Sequence, residues 1–344
     1  MGRSGGPWGA AVSRRLRVIA RLHGYPPDHN AGAEWATHEM LAALAGRGHD
    51  VRVHLFRRAP IWGRYSLDGV QVWPAGVASR TPRALAAGAD VLVSHLEGVP
   101  YVRQAAETAS IPAVSICHNT FDQTFAEAAG IDLAVYNSQW MREYAGKWFA
   151  DETRGQAPPA RSLVVRPPVW AADYATTPGD RVTLVNLNEN KGGTIFWELA
   201  ARMPDVEFLG VKGSYGDQIV RRGLPNVEVL EHIPGSSMRE RVYARTRVLL
   251  VLSEYESWGR VAAEAMASGI PVVAHATPGL TECLGPAGYF VDRGDLAAIE
   301  ATVRRLLKPR SWNAAARKAR ARSAELDPTV ELEAWCEAVE EVAR

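Results

Sequence analysis

A regular alternation of short apolar runs with segments of helical periodicity constrains the fold of this chain more than any other feature. In the first half the apolar runs predict strands at 16–23, 51–56, 91–94, 113–117 and 133–136. The spacing of apolar residues between them predicts helices at 34–47, 99–107 and 139–149. Strands that alternate with helices form βαβ units, so this half is expected to be an α/β domain with a largely parallel sheet.

The same alternation starts again after residues 155–168, where Gly, Gln, Pro and Arg interrupt it. Further strands are predicted at 182–186, 206–209, 227–230, 248–252 and 272–274, with helices at 194–202, at 260–268 and almost throughout from residue 296. We therefore expect two Rossmann-like, doubly wound domains joined near residues 160–180. The expected ranges are a disordered tail at 1–15, an N-terminal domain at 16–165, a C-terminal domain at 166–310 and C-terminal helices at 311–344.

The composition indicates a protein that acts on small molecules. The 344 residues carry a formal net charge of +1, which gives no strong field to attract nucleic acid. No stretch approaches the 18 apolar residues of a membrane-spanning helix, although peripheral membrane contact stays open. The three cysteines are far apart and without metal-ligand spacing, so we expect them to be buried and reduced in a cytoplasmic protein.

A dinucleotide-binding domain would show the same alternation, but the sequence argues against it. The nearest approach to a phosphate fingerprint is Gly210-Val-Lys-Gly213-Ser-Tyr-Gly216, whose glycine spacing is not G-x-G-x-x-G.

The most informative segment is 249–274, which has the pattern of strand, turn, helix and strand. The turn Ser257-Trp258-Gly259 leads into a helix that begins near Arg260, and the first amides of a helix have no partner within it. Those amides and the positive end of the helix dipole suit a diphosphate. Glu256 precedes the helix and Glu264 lies inside it. Taken singly, Glu256 could merely cap the helix and Glu264 could merely face solvent.

As a whole, the segment resembles the motif of family 4 retaining glycosyltransferases, which are GT-B enzymes of the glycosyl transferases group 1 type. Glu256 and Glu264 match its Glu–seven residues–Glu pattern, and the run Glu-Ala-Met-Ala-Ser-Gly-Ile-Pro-Val-Val follows. The resemblance implies a GT-B fold, with an acceptor-side and a nucleotide-sugar-binding Rossmann-like domain facing across a cleft. It also implies that the C-terminal helices pack back towards the N-terminal domain.

Other segments extend the resemblance over roughly residues 16–307. The loop 24–34, with Gly32, resembles the family's glycine-rich loop, and Cys117-His118-Asn119 its histidine near the transferred sugar. Thr277-Pro-Gly279-Leu-Thr-Glu282 resembles its Gly-Gly-x-x-Glu turn. The segment 186–192, with Lys191, matches its phosphate-binding loop, except that Asn186 stands where an Arg is common and cannot offset charge.

The resemblance implies the following site. The catalytic residues are His118, Lys191 and Glu256; the donor-binding residues are Gly32, Asn186, Ser257, Trp258, Gly259, Arg260 and Glu264. No Asp-x-Asp metal clamp occurs, and Glu254-Tyr-Glu256 is the nearest imitation. We therefore expect no metal and no cofactor, with Lys191 and helix dipoles offsetting the charge of the leaving diphosphate.

The expected reaction is transfer of a sugar, with retention of configuration, from a nucleotide-diphosphate sugar to a hydroxyl acceptor. Short connections in the first domain favour a small-molecule acceptor, bound by loops near 60–72 and 95–101. A nucleotide-sugar epimerase of the same fold and an inactive nucleotide-sugar-binding protein are the alternatives. The sequence does not reveal the acceptor, the donor's sugar and base, or the oligomeric state.

Overall fold

The computed structural model describes residues 14–29, 31–57, 63–75, 77–78 and 81–344. The tail predicted at 1–15 lies outside these residues except for Arg14 and Arg15. The chain divides into two compact units. The first consists of the described residues up to Pro168 together with Pro328–Arg344, and the second is Val169–Asp327.

The first unit is built on an eight-stranded sheet with the strand order β3-β4-β2-β1-β5-β6-β7-β8. Its strands are β1 (Arg17–Leu22), β2 (Asp50–Leu55), β3 (Tyr65–Leu67), β4 (Val70–Trp73), β5 (Val91–His95), β6 (Ala113–Cys117), β7 (Leu133–Tyr136) and β8 (Arg161–Val164). The helices between them are α1 (Gly32–Gly46), α2 (Pro82–Ala86), α3 (Val99–Ala109), α4 (Asp122–Ala128) and α5 (Gln139–Phe149). Short 3₁₀ turns lie at Leu96–Gly98 and Glu152–Arg154.

All paired strands of this sheet run parallel except β3 and β4, which form an antiparallel hairpin. Every residue of β5, β6 and β7 is buried, as expected for strands covered on both faces by helices. The sequence analysis predicted a loop at 60–72, and it predicted no strand at 161–164, within the expected junction near 160–180. The hairpin and β8 correct both, and residues 60–62 lie outside the described chain.

The second unit is built on a six-stranded parallel sheet with the strand order β11-β10-β9-β12-β13-β14. Its strands are β9 (Arg181–Val185), β10 (Phe208–Val211), β11 (Val227–Leu230), β12 (Thr246–Val251), β13 (Val272–Ala274) and β14 (Gly288–Phe290). Its helices are α6 (Ala171–Tyr174), α7 (Gly193–Arg202), α8 (Met238–Arg241), α9 (Arg260–Ala267), α10 (Pro278–Leu284), α11 (Leu296–Leu307) and α12 (Pro309–Glu325). Its 3₁₀ turns are Glu189–Lys191, Gly235–Ser237, Tyr243–Arg245 and Gly285–Ala287. This strand order is that of a doubly wound Rossmann sheet.

The last helix, α13 (Thr329–Val342), belongs to the first unit. The indole nitrogen of its fully buried Trp335 donates to the carbonyl oxygen of Met40 on α1 at 2.8 Å, and His49 Nε2 lies 3.0 Å from Glu340 Oε1. Helix α12 instead stays with the second unit, where Trp312 Nε1 donates to the carbonyl oxygen of Arg247. The segment 311–344 is thus divided between the units, because each helix buries its apolar face on a different core. The predicted domain ranges stay predictions.

Two expectations from composition concern the whole chain. Cys117, Cys283 and Cys336 are all buried, as expected. Among the described residues, the helices include none that combines the length and the apolar character needed to cross a membrane.

Candidate functional site

The candidate site of the second unit lies where its strand order reverses. The sheet grows outward in both directions from the neighbouring strands β9 and β12, and ligands of doubly wound sheets bind at the carboxyl ends of such a pair. Strand β9 leads into the loop that carries Lys191, and β12 into the loop that carries Glu256. The backbone ties the two loops together, because Glu254 N donates to the carbonyl oxygen of Asn190 at 2.8 Å.

Lys191 and Glu256 form a hydrogen-bonded ion pair at this point. Lys191 Nζ donates to Glu256 Oε1, and Ser253 Oγ donates to the same oxygen at 2.9 Å. The side chains retain 20% and 18% exposure, so the pair is partly buried and still open to a ligand. Burial would lower the pKa of Lys191, but the Glu256 carboxylate and nearby tyrosines raise it above its ordinary value. Lys191 is therefore a fixed positive charge at neutral pH.

The loop before α7 holds Lys191 in place by local chemistry. The Asn188 side chain accepts from Lys191 N at 3.0 Å and caps the turn Glu189–Lys191. Gly192 follows with φ of 95°, and a Cβ there would lie 2.8 Å from Leu252 Cβ on the neighbouring loop. Glycine thus permits both the left-handed backbone and the close approach of the two loops.

Asn186 is directed into the protein by Gln218, a residue that the sequence analysis missed. Asn186 is 8% exposed, has φ of 70° and accepts from Gln218 Nε2 at 3.0 Å. Gln218 Oε1 accepts from Leu187 N at 2.9 Å and from Gly213 N at 2.8 Å. The Asn186 amide is therefore part of a clamp between two loops, and its role as a donor ligand stays a prediction.

The turn Ser257–Gly259 is shaped by the start of α10. Gly259 precedes α9 with φ of 111°, and a Cβ there would lie 2.5 Å from Leu280 Cδ2. A Cβ on Gly279 would lie 2.3 Å from the carbonyl oxygen of Glu256 and 2.6 Å from that of Ser257. Trp258 is buried, while Ser257 is half-buried. Because Gly259 caps α9 and no side chain bonds at that cap, Glu256 is not a helix cap.

Glu264 lies beneath this turn and is 5% exposed, so it does not face solvent. Its Oε1 accepts from Arg260 Nε at 2.8 Å and its Oε2 from the Tyr243 hydroxyl at 2.6 Å. Arg260 Nη2 also donates to the Tyr174 hydroxyl at 3.0 Å. Burial and the Glu264 carboxylate raise the pKa of Tyr243 well above its ordinary value, which keeps the phenol protonated as a donor.

His118 lies in the first unit, directly after β6. Its Nε2 is 2.9 Å from His95 Nδ1 and 3.3 Å from Thr37 Oγ1 on α1. Burial lowers the pKa of His118 to about 4 and that of His95 well below its ordinary value, so both rings are neutral at pH 7. Gly32 is the first residue of α1, where it is exposed.

Glu34 is the polar centre of the first unit, and the sequence analysis gave it no role. It is 3% exposed, with its Oε1 2.9 Å from His23 Nε2 and 3.4 Å from His29 Nδ1. Burial would raise the pKa of Glu34, yet hydrogen bonds from His23 and His29 hold it well below its ordinary value. A signal was available in the sequence, since His23, His95 and His118 each stand at or just beyond the end of a strand.

The structure thus places the predicted residues in three groups. Lys191 and Glu256 are paired, and Arg260 and Glu264 form a second pair beneath the turn of Ser257, Trp258 and Gly259. Asn186 faces Gln218, while Gly32 and His118 belong to the first unit. The assigned roles of these residues stay predictions.

Comparison with known proteins finds a family match within the second unit. Residues 186–309 match the model of a family described as glycosyl transferases group 1. Among curated proteins, the chain is 33% identical over 177 residues to a D-inositol 3-phosphate glycosyltransferase of Mycolicibacterium vanbaalenii, covering 41% of this chain and 39% of the relative. It is 34% identical over 97 residues to the O-antigen chain mannosyltransferase B of Escherichia coli, covering 28% of this chain and 25% of the relative. The matched segments therefore span well under half of these relatives.

Solved structures resemble the chain over nearly its whole length. Sucrose-phosphate synthase from Thermosynechococcus elongatus superimposes with a TM-score of 0.74 and 17% identity, covering 95% of this chain and 98% of that one. Anabaena Alr3699/HepE in complex with UDP-glucose gives 0.74 and 18%, covering 95% and 100%. The α/β fold of the GT-B type is confirmed, and so is the resemblance to glycosyl transferases group 1. The narrower assignment to family 4 stays a prediction.

Proposed function

We propose that this protein, whose residues 186–309 match the glycosyl transferases group 1 family, moves a sugar from a nucleotide-diphosphate sugar to a hydroxyl acceptor. The observation that carries the proposal is the partly buried Lys191–Glu256 pair at the carboxyl ends of β9 and β12. It combines a fixed cation with a carboxylate beside the start of α9. The cation of Lys191 can stabilise a departing diphosphate, and the carboxylate of Glu256 can accept hydrogen bonds from sugar hydroxyls.

The donor is proposed to bind in the second unit. Lys191 and the first amides of α9 neutralise the diphosphate, and Glu256 accepts hydrogen bonds from the sugar. This requires Lys191 to exchange part of its bond with Glu256 for a phosphate oxygen. Glu264 is proposed to accept from the donor ribose, which requires Arg260 to move away from one carboxylate oxygen.

Retention and metal independence complete the proposal. Lys191 remains protonated at neutral pH, so the leaving group is stabilised without a metal at the diphosphate. We propose that the leaving phosphate takes the acceptor proton during attack on the same face of the sugar. His118, a neutral imidazole, is proposed to hydrogen-bond substrate rather than to carry charge. We further propose a cytoplasmic enzyme with a small-molecule acceptor.

Names of related proteins suggest which compounds to test first. One solved relative is described in complex with UDP-glucose and another with glucose-6-phosphate, and a curated relative is a D-inositol 3-phosphate glycosyltransferase. UDP-sugars are therefore the first donors, with GDP-mannose added because another relative is a mannosyltransferase. Phosphorylated sugars and polyols are the first acceptors.

The first experiment measures thermal unfolding against a panel of nucleotides and nucleotide sugars, with magnesium and with a chelator. A ligand present at 100 times its Kd should add about 2.7 kcal/mol of stability. We expect one nucleotide sugar to stabilise the protein equally in both conditions. A shift that needs magnesium would contradict metal independence.

Product analysis then separates the three candidate functions. A transferase makes a glycoside only when acceptor is present, and NMR of the new anomeric proton reports retention. An epimerase changes the donor without acceptor, whereas an inactive protein binds the donor and turns over no acceptor. Either of these two outcomes would overturn the proposal.

A further inference from the structure

A cluster of imidazoles surrounds Glu34 at the point where the strand order of the first unit reverses. Strands β1 and β5 are neighbours there, with His23 following β1 and His95 ending β5. The His23 and His95 rings are stacked, with centroids 5.1 Å apart, and Glu34 extends from the first turn of α1. Two consecutive elements, β1 and α1, and the distant strand β5 thus bring two imidazoles and one carboxylate to the same place.

The donor atoms of these three side chains are close together. One ligand atom can be taken from each of His23, Glu34 and His95 so that all lie within 4.8 Å of one another. His23 Nε2 and Glu34 Oε1 are 2.9 Å apart. Around a tetrahedral ion with bonds of about 2.0–2.2 Å, donor atoms lie about 3.3 Å apart. Binding therefore requires His23 Nε2 and Glu34 Oε1 to move apart by about 0.4 Å.

Unused hydrogen-bonding capacity is an independent observation at the same place. His95 Nε2 and Glu34 Oε2, two of the candidate ligand atoms, are buried and have no hydrogen-bond partner among the described residues. Buried polar atoms without a partner are rare, and a bound ion is one of the explanations for them. The side chains themselves are 8%, 3% and 0% exposed for His23, Glu34 and His95, so bulk solvent does not serve them.

The surroundings supply what metal-binding histidines require. A ligating imidazole normally donates its second ring N–H to another side chain, which fixes its tautomer. With Nε2 as ligand, His95 Nδ1 lies 2.9 Å from His118 Nε2, which is a hydrogen-bond distance. His23 Nδ1 lies 3.9 Å from Glu97 Oε2, near a carboxylate but not hydrogen-bonded to it. His29, which is 44% exposed, stands 3.4 Å from Glu34 Oε1 on the solvent side, where an ion would enter.

We propose that His23, Glu34 and His95 form a binding site for a divalent transition metal ion in the first unit. Two imidazoles and a carboxylate favour zinc and its neighbours over magnesium or calcium, which prefer oxygen ligands. These residues differ from those proposed to bind the donor, so the site neither requires nor contradicts metal-independent transfer. The three protein ligands leave a fourth position for water or for His29.

The test uses untagged full-length protein stripped with a chelator and titrated with cobalt(II) and zinc(II). We expect one cobalt ion per chain with a visible absorption band, which zinc then abolishes. Glu34→Gln and His95→Gln should each weaken zinc binding at least tenfold, the smaller end of the effect seen on disturbing a metal site. His232→Gln, in the second unit, is the matched histidine control and should bind as the wild type does.

Two results would overturn the proposal. One is wild-type protein that develops no cobalt band and binds no zinc at micromolar concentrations, which would make the cluster a network of protons alone. The other is equal zinc affinity in Glu34→Gln, His95→Gln and wild type, which would place any bound ion elsewhere. The cobalt measurement needs no variant, so it decides the question even where a substitution prevents folding.

Discussion

Gly279 offers a direct test of how the candidate donor site is shaped. The backbone of Glu256 and Ser257 lies so close to Gly279 that there is no room for a Cβ atom. A Cβ at position 279 would lie 2.3, 2.4 and 2.6 Å from the Glu256 carbonyl oxygen and from the Ser257 carbonyl carbon and oxygen. All three are backbone atoms, so no side-chain rotation can relieve the contact. Gly279→Ala therefore forces the start of α10 and the turn after Glu256 apart.

The structure gives the size of that displacement. An ordinary contact begins at 3.4 Å, so the closest atom must move by 3.4 − 2.3 = 1.1 Å. A misplacement of about 1 Å at a reacting centre costs about 10²-fold in rate. Overpacking of this kind also costs about 1–3 kcal/mol of stability. We expect kcat for sugar transfer to fall about 100-fold while the protein stays folded.

The assay compares kcat and donor affinity of Gly279→Ala with those of Gly146→Ala, at a temperature below both unfolding transitions. Gly146 lies inside α5, and a Cβ there meets no atom within 4 Å. The control should keep wild-type turnover and gain about 0.5–1 kcal/mol of stability from the better helix former. Wild-type turnover in Gly279→Ala would show that the contact of α10 does not position Glu256. A loss of stability alone, with normal kcat, would refute the reasoning in the same way.

Three further predictions concern charge. Lys191→Ala should lower kcat about 10²–10³-fold, which is the scale for losing one electrostatic donor. The control variant Lys212→Ala should keep kcat within about twofold of the wild type. Equal activity of the two variants in a transfer assay would contradict the role of Lys191. Glu264→Ala leaves the Arg260 guanidinium without its carboxylate partner in a buried site and should cost about 3–5 kcal/mol. Denaturant unfolding of Glu264→Ala is compared with that of the double variant Arg260→Met/Glu264→Leu, which should recover much of the lost stability. If Glu264→Ala is no less stable than the double variant, the buried ion pair does not have the predicted effect. Burial and neighbouring arginines lower the pKa of His54 to about 4, so the unfolded state takes up its proton first and stability falls as the pH drops from about 6.5 towards 4. Between pH 7.5 and 5.5 the wild type should lose about 1 kcal/mol more than His54→Phe; parallel pH profiles of unfolding would refute this.

Periodicity predicted the buried strands well because their signal is local. Strands β5, β6 and β7 are mostly apolar and buried along their whole length, with Ser or His as the only polar residues. The hairpin of β3 and β4 was not predicted because its strands are short and contain both polar and apolar residues. The turn of the hairpin nevertheless has a recognisable sequence signal, because Asp-Gly is a frequent hairpin turn and Asp68 and Gly69 both have positive φ.

The candidate site was predictable only in part, for a different physical reason. Lys191 and Glu256 were found because each stands in a motif, but their pairing depends on β9 and β12 being neighbours in the sheet. Gln218 has no motif, and its amide becomes a clamp only because β10 returns the chain beside Asn186. The histidines of the Glu34 cluster stand at strand ends in the sequence, but which strand ends meet is decided by the strand order of the sheet.

The place of α13 has a consequence for the order in which the chain can mature on the ribosome. The second unit is one continuous segment, so it can fold as soon as residue 327 has emerged. The first unit begins earlier and is completed later, because the surface of α1 around Met40 is covered by Trp335, which is synthesised after the whole second unit. Domains usually fold in the order of their synthesis. Here the second unit can complete its fold before the first unit does. Until α13 has been synthesised, the surface of α1 that Trp335 covers is exposed to the chaperones and proteases of the cell.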